Sequence, residues 1–580
     1  MPQTWKGEEE RGLVAAVTRG AIRPGAPRPT TTGVGRAASE GAWAGLLVAA
    51  FVLYYVAPGL PLSLLLLVVC GALCYLRLPL AVSLIPVVMP FFMLPKHLTG
   101  HQEFALGETA IVLCALAYGL QRLATLSAAM TGPASRGVGA GVMVLLRHFV
   151  PRSRFERPVA LFLAAATVAM LAAHFRHVAL REYRLVILEP IIYYVLVVAL
   201  LRDTRSMLRA LWALVASGVL VALLGLGQYV FRRNTLVGVR YTGSPASPVP
   251  HPLHLVTSVY GSPDNLALLL DRVIPVAIVL GLAALAPTLP GIRRAPAQRD
   301  QAGRAAPRPS TLSAPSLPLI AALAIAPMVV ALLLTGSRGG ILTAVATGLA
   351  AVLFWRSQTE RRYGPLLTLL SAGGILGGAA LLVLSQIQHG ASTATRLYVW
   401  RSALAMIRDH PLLGVGPDNF LYYYFPDPHK IDPHPFYNPH VYDCVPPSLR
   451  GQLPAKHYID FNNAWQEPCL SHPHNVVLHV WLATGLVGLA ALGILLVGFV
   501  VVARHNLSRL RGAQTQARAV QVAAVAVVVA TFVHGMVDNS IFVADLAVAF
   551  WLAVALTGQL SVASGQLPAG GNQRVLSSGQ

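Results

Sequence analysis

His474–Arg504 reads HNVVLHVWLATGLVGLAALGILLVGFVVVAR, with no Asp, Glu, Lys or Arg between its two ends. A helix crosses the hydrocarbon of a bilayer in about 20 apolar residues, so this stretch is long enough to span it. Comparable runs lie near 42–58, 61–77, 79–95, 104–121, 158–174, 185–201, 208–230, 265–287, 318–334, 339–355, 364–386, 475–502, 519–534 and 540–560, the third and fourth being the weakest. Together they predict an all-α, polytopic integral membrane protein with about 12–14 transmembrane helices. The composition agrees. Of 580 residues 55% are apolar and 12% charged, with a mean hydropathy of +0.61, whereas about a quarter of a soluble domain is charged.

Lys and Arg number 44 against 23 Asp and Glu, a formal net charge of +21. Such a balance raises nucleic acid as a partner, but the basic residues recur in short clusters between apolar runs, as the positive-inside rule requires, and form no single stripe with interleaved aromatics. No nucleic-acid partner is expected. Five Cys also exclude a disulfide scaffold. Residues 1–40 read as a disordered basic cytoplasmic tail and not as a cleavable signal, because the apolar run that follows is long and more spans succeed it. Counting from a cytoplasmic start, the inside loops carry Arg122–Arg157, Arg202–Arg209, Arg293–Arg308, Arg356–Arg362 and Arg504–Arg518. The stretch His174–Arg184 breaks the pattern: Arg176, Arg181 and Arg184 fall outside. Either the span count shifts by one there or these arginines bind an anion.

The chain divides into the tail, an N-terminal bundle (41–230), a central region with a Ser-Arg-Gly turn (231–386), an extracytoplasmic loop (387–474), C-terminal helices (475–560) and a cytoplasmic tail (561–580). The stretch from about Gln386 to His474 carries seven of the 23 acids and is rich in Pro, His, Tyr and Trp, so it is expected to have compact structure of its own. Cys444 and Cys469 both lie in it. Whether they pair is open; a disulfide there would contribute about 3–4 kcal/mol in the chain-entropy account.

Several residues on the outer side invite chemistry. In Leu334-Thr335-Gly336-Ser337-Arg338-Gly339-Gly340 the glycines allow a tight turn between two apolar runs, and Arg338 is either snorkelling to the interface or offering its planar fork to a phosphate. Residues 394–407 repeat apolar positions at helical spacing and predict an amphipathic helix that ends at His410-Pro411. Arg396 and Arg401 diverge on it by more than a right angle, one facing the site and the other solvent or headgroups. Ser471-His472-Pro473-His474-Asn475 precedes a span and puts His474 at its first turn, as a capping residue or as a general base whose pKa lies near working pH. His472 is the rival base, pointing elsewhere if the helix begins at 474. Glu189 and Asp271 stand inside spans, where they either pair with an arginine or line a substrate groove. Histidines 410, 429, 434, 440 and 457 lack tight Cys/His pairs, which favours solvated side chains over zinc ligands. Tyr422–Phe425 and Trp465 read first as an aromatic belt.

Three segments in this order resemble the O-antigen ligase and polymerase family of envelope glycosyltransferases: Ser337-Arg338-Gly339 with Leu342; Arg396…Trp400…Pro411-Leu412-Leu413-Gly414-Val415-Gly416; and His474-Asn475 followed by Gly485-x-x-Gly488. Gly261-Ser262-Pro263-Asp264-Asn265 and His534-Gly535 with Asp538 are looser echoes. The resemblance covers about 230–560. It implies a GT-C-like, inverting glycosyltransferase in the cytoplasmic membrane, working on the extracytoplasmic side and moving a saccharide from an undecaprenyl-diphosphate carrier to a lipid or other glycan acceptor. Membrane lipids are its surroundings. It implies that Arg338 and Arg396 hold the diphosphate and that His474 is the base; beside what it implies, Arg401, Asn475, Ser337, Asn265, Arg184, His472 and Asp538 are read as substrate-binding candidates. Ala483 departs from the family, where a glutamate is common, so no role for that acid carries over. No outer segment holds Asp-x-Asp, so neither a metal nor another cofactor is expected. Ligase and polymerase stay open between them. A transporter or flippase is the rival from another class, but no second copy of the Arg338 or His474 neighbourhood is seen, as an internal repeat would require. A membrane scaffold with a binding loop is the third reading.

Overall fold

The computed structural model describes residues 33–99, 102–130, 151–231, 255–285, 316–359, 391–424, 470–510 and 514–565, and the single positions 149, 369, 372, 373 and 376. Among them seven helices are long and apolar enough to cross a membrane, and four shorter apolar helices accompany them. The protein is thus an all-α, multi-pass membrane protein. Exposed leucines and valines on α1 (Gly33–Val56) and α2 (Leu60–Leu76), such as Leu53, Leu65 and Val68, suit contact with lipid tails. The candidate span at 364–386 and the cysteines Cys444 and Cys469 lie outside the described residues.

The two weakest runs are resolved by their ends. α3 (Leu78–Val88) passes into a 3-10 turn at Met89–Met93, and α4 (Leu106–Met130) follows a small antiparallel hairpin of β1 (Lys96–Thr99) and β2 (Gln102–Phe104), which the all-helical expectation did not contain. After α5 (Glu156–Ala172) the chain turns at once into α6 (Arg176–Glu182), a π-helical turn at Tyr183–Leu188 and α7 (Glu189–Leu200). The span expected at 185–201 therefore begins nine residues earlier, at Arg176. That extension accounts for the outlying arginines: they occupy the first turns of a spanning helix instead of a loop.

The C-terminal two-thirds builds the site. α8 (Thr204–Phe231), α9 (Pro263–Leu285), α10 (Ser316–Leu334) and α11 (Arg338–Thr359) pack with α15 (Thr515–Gly535), and α16 (Ala544–Gly565) closes the bundle against α7 and α15. α9 is buried along most of its length, including Asp271 and Arg272. An arginine with no water around it must find its acceptors within the protein. The Arg272 guanidinium donates to Thr531 Oγ1 and the Ser540 carbonyl at 3.0 Å each and to the Leu268 carbonyl, and lies 3.9 Å from the Asp271 carboxylate. Asp271 in turn is hydrogen-bonded to His534 Nδ1.

α12 (Ala391–Asp409) packs through Val399, Ala403, Met406 and Ile407 on the first half of α14 (Val476–Arg509). α14 is broken at Gly485, whose φ of 73° lies in the left-handed region. The backbone groups freed by that break are taken up by the Pro411–Gly416 segment. Val415 and Gly416 donate to the Leu482 carbonyl at 2.8 and 3.1 Å, and Leu486 N donates to the Pro411 and Leu412 carbonyls, 3.2 Å each. A Cβ at Gly485 would strike the Leu412 carbonyl, and one at Gly414 the Leu482 carbonyl. Two motifs that are separate in the sequence are thus the two halves of one joint.

That joint also bends the helix. Asn506 bonds Gln521 near the base of α14, and Val476 abuts Gly535 at its start. At 1.5 Å per residue a straight helix would carry Asn506 and Val476 about 45 Å apart, while Gln521 and Gly535 are only about 21 Å apart on α15. The break at Gly485 reconciles the two by turning the first part of α14 back across the end of the bundle.

Candidate active site

The arm before Gly485 carries the histidines. Asn475 is the N-cap of α14: its side-chain oxygen accepts from Val477 N and Leu478 N, and its amide donates to the Met536 carbonyl at 3.1 Å. Both ends of this candidate substrate-binding side chain thus hold the helix start. His474 precedes the cap, not within the first helical turn as expected, and its φ is 48°. Because its backbone turns left-handed directly after Pro473, the imidazoles of 472 and 474 are swung to the same side. The expectation that His472 points elsewhere is corrected: the two ring centres are 4.4 Å apart.

Both rings face Asp538, from the turn between α15 and α16. His474 Nδ1 is 2.9 Å from Asp538 Oδ1, and His472 Nε2 is 3.7 Å from the same oxygen. Asn539 N donates to that oxygen at 2.7 Å and fixes the carboxylate. Burial opposes ionisation of Asp538, but the approach of His472, the hydrogen bond with His474 and the positive charge that His474 and His534 can carry hold its carboxyl well below the usual range. Burial pushes His472 the other way, below the ordinary histidine value. The ligand atoms of His472, His474 and Asp538 all lie within 4.8 Å of one another, so this trio could also hold a metal ion.

Arg338 enters from the neighbouring element. Ser337 caps α11, its hydroxyl accepting from Gly340 N at 3.4 Å, and Arg338 is the exposed first residue of the helix. Among the described residues it makes no ion pair. Gly339 lies against the His534 ring, where a Cβ would come within 2.8 Å of Nε2. His534 stands four residues before Asp538 and one before Gly535, which touches Val476. The Ser337-Arg338 turn, His472, His474 and Asp538 therefore share one end of the bundle. Asn265 is half-buried in the first turn of α9, two residues from Ala267, which packs on Gly340.

Arg396 is half-buried and Arg401 exposed on α12, the latter 5.9 Å over the Tyr398 ring. Arg184 pairs with Glu108 at 2.5 Å and lies 3.9 Å from Glu189, so the outer arginine and the buried Glu189 answer each other. Tyr422, on the short helix α13 (Phe420–Tyr424), packs against Phe175 at 4.4 Å between ring centres, inside the protein and not in a belt. Two features had no clear sequence signal. The Asp271–His534 pair joins residues 263 positions apart. Asn419, whose side chain takes both the N–H and the carbonyl of Phe175, locks the α12 region to the start of α6. The Asp538–His474 pair was visible only as a loose echo.

A fold of many apolar helices with an imidazole–carboxylate pair and an exposed arginine at one end defines a polytopic membrane protein with an enzyme-like site. Comparison then bears out the resemblance: residues 323–442 match the family model described as O-antigen ligase. That segment contains Ser337, Arg338, Arg396 and the Pro411–Gly416 joint; His474 and Asp538 lie beyond it. No curated protein matches the chain.

Proposed function

We propose that the protein is an inverting glycosyltransferase that moves a saccharide from an undecaprenyl-diphosphate carrier to an acceptor hydroxyl at the outer face of the cytoplasmic membrane, without a catalytic metal. The observation that carries this reading is the 2.9 Å bond between His474 Nδ1 and Asp538. With its proton on Nδ1, shared with the carboxylate, the ring has its basic lone pair on Nε2. The acceptor oxygen attacks the anomeric carbon, its proton passes to Nε2, and the bond to the diphosphate breaks with the electron pair leaving on phosphate. Asp538 stabilises the imidazolium so formed. The leaving charge is met by Arg338, by the first N–H groups of α11, which have no intrahelical acceptors, and by Arg396 on α12.

A ligase and a polymerase share this donor chemistry and differ in the acceptor, a lipid or another glycan. The match to the O-antigen ligase family model supports the donor class. The test is transfer from a synthetic polyprenyl-diphosphate glycan in proteoliposomes containing EDTA. His474→Ala is expected to reduce turnover by about 10²–10⁴, the usual contribution of a positioned base. Full activity in that variant would remove His474 from the mechanism, and loss of wild-type activity in EDTA would remove the metal-free step.

A further inference from the structure

The trio on Asp538 holds more than a general base needs. Among the described residues, His472 Nε2 is buried and makes no hydrogen bond. Its other nitrogen, Nδ1, lies 3.0 Å from the Ser471 hydroxyl. Donation from Nδ1 to that hydroxyl puts the ring's lone pair on Nε2, aimed at the cluster, the arrangement of an imidazole ligand with its outer partner. A zinc ion at about 2.0–2.2 Å from each donor keeps tetrahedral neighbours about 3.3–3.6 Å apart. The His472–Asp538 distance of 3.7 Å is near that value, the His474–Asp538 distance of 2.9 Å has to open by about half an ångström, and the two imidazole nitrogens lie within 4.8 Å of each other. Both histidine side chains remain about a fifth exposed, which leaves an approach from solvent.

We infer that His472 Nε2, His474 Nδ1 and the Asp538 carboxylate form a site for a divalent transition-metal ion, and that filling it switches transfer off. Two imidazoles and one carboxylate suit zinc and its late first-row neighbours and do not suit magnesium or calcium, which take oxygen donors. The inhibitory consequence rests on the base reading of His474. An ion on Nδ1 displaces the proton shared with Asp538, the neutral ring carries its one proton on Nε2 instead, and that nitrogen can no longer accept another from the acceptor. No bond of the substrate is made or broken by the ion.

The experiment uses the full-length protein in nanodiscs, stripped with EDTA, then titrated with Zn2+ against a chromophoric competitor while transfer is followed in parallel. One ion per chain is expected, with binding and inhibition sharing a midpoint and EDTA restoring transfer. Ser471→Ala should weaken binding and inhibition together by about tenfold, as loss of an outer partner does, and leave the rate in EDTA unchanged. His472→Gln should abolish the specific uptake. Uptake in His472→Gln and Asp538→Asn equal to wild type would overturn the site, while the base reading would stand on its own EDTA assay. Zinc that binds and accelerates transfer would overturn the inhibition and the base reading together, leaving the coordination intact.

Discussion

At His474 a non-glycine residue holds a left-handed backbone, a conformation that costs about 1–3 kcal/mol and persists only where surrounding contacts enforce it. Pro473 before it, the Asn475 cap after it and Asp538 across from it supply that enforcement. Asp538→Asn keeps the shape but removes the charge that stabilises the imidazolium, and an amide that donates to Nδ1 favours the opposite tautomer. Turnover should fall by about two orders of magnitude or more with little change in KM, read in the same transfer assay. Arg338→Lys keeps the charge and loses the two-pronged donor geometry, so donor affinity and rate should both suffer; unchanged donor binding would place the clamp elsewhere. The identity of these side chains was readable from the chain alone. Their convergence was not, because it depends on one backbone dihedral at position 474 and on a contact between residues 64 positions apart.

Among the elements, α14 shows how far an apolar run can mislead. Its hydropathy marks 475–502 as one span, yet the protein uses the part after Gly485 against α5 and the part before it as an arm carrying His474. Glycines 414, 416 and 485 stood out as motif positions, but nothing in their spacing says that they meet; only backbone hydrogen bonds from a distant segment do. Gly485→Ala should be disproportionately harmful, since the added methyl meets the Leu412 carbonyl and the φ is unfavourable for alanine. The expected cost is about 1–3 kcal/mol from the dihedral alone, measurable as a lower melting temperature in detergent. A melting temperature equal to wild type would show that the joint is dispensable. The start of α6 is hidden in the sequence for a related reason: three arginines resemble a loop, while the helical stretch accommodates Arg184 because Glu108 and Glu189 face it.

For the molecule as a whole, α9 is the axis on which the site end and the bundle interior are joined. Arg272, Asp271 and His534 form a polar core reaching up to Gly339 beside Arg338. Asp271→Leu leaves Arg272 buried with less compensation and His534 without its carboxylate, so the variant should lose about 3–5 kcal/mol of stability. Thermal denaturation of the purified protein is the measurement, and a drop under 1 °C would mean the pair contributes nothing. The joint at Gly485 has a further bearing, on biogenesis. Residues 411–416 leave the ribosome well before 476–509, so the segment that seals the hinge is already made when the hinge arrives. Until the two dock, the Leu482 carbonyl and the Leu486 amide lack these partners, and α14 is delivered as an unfinished part whose completion is supplied by its own upstream sequence.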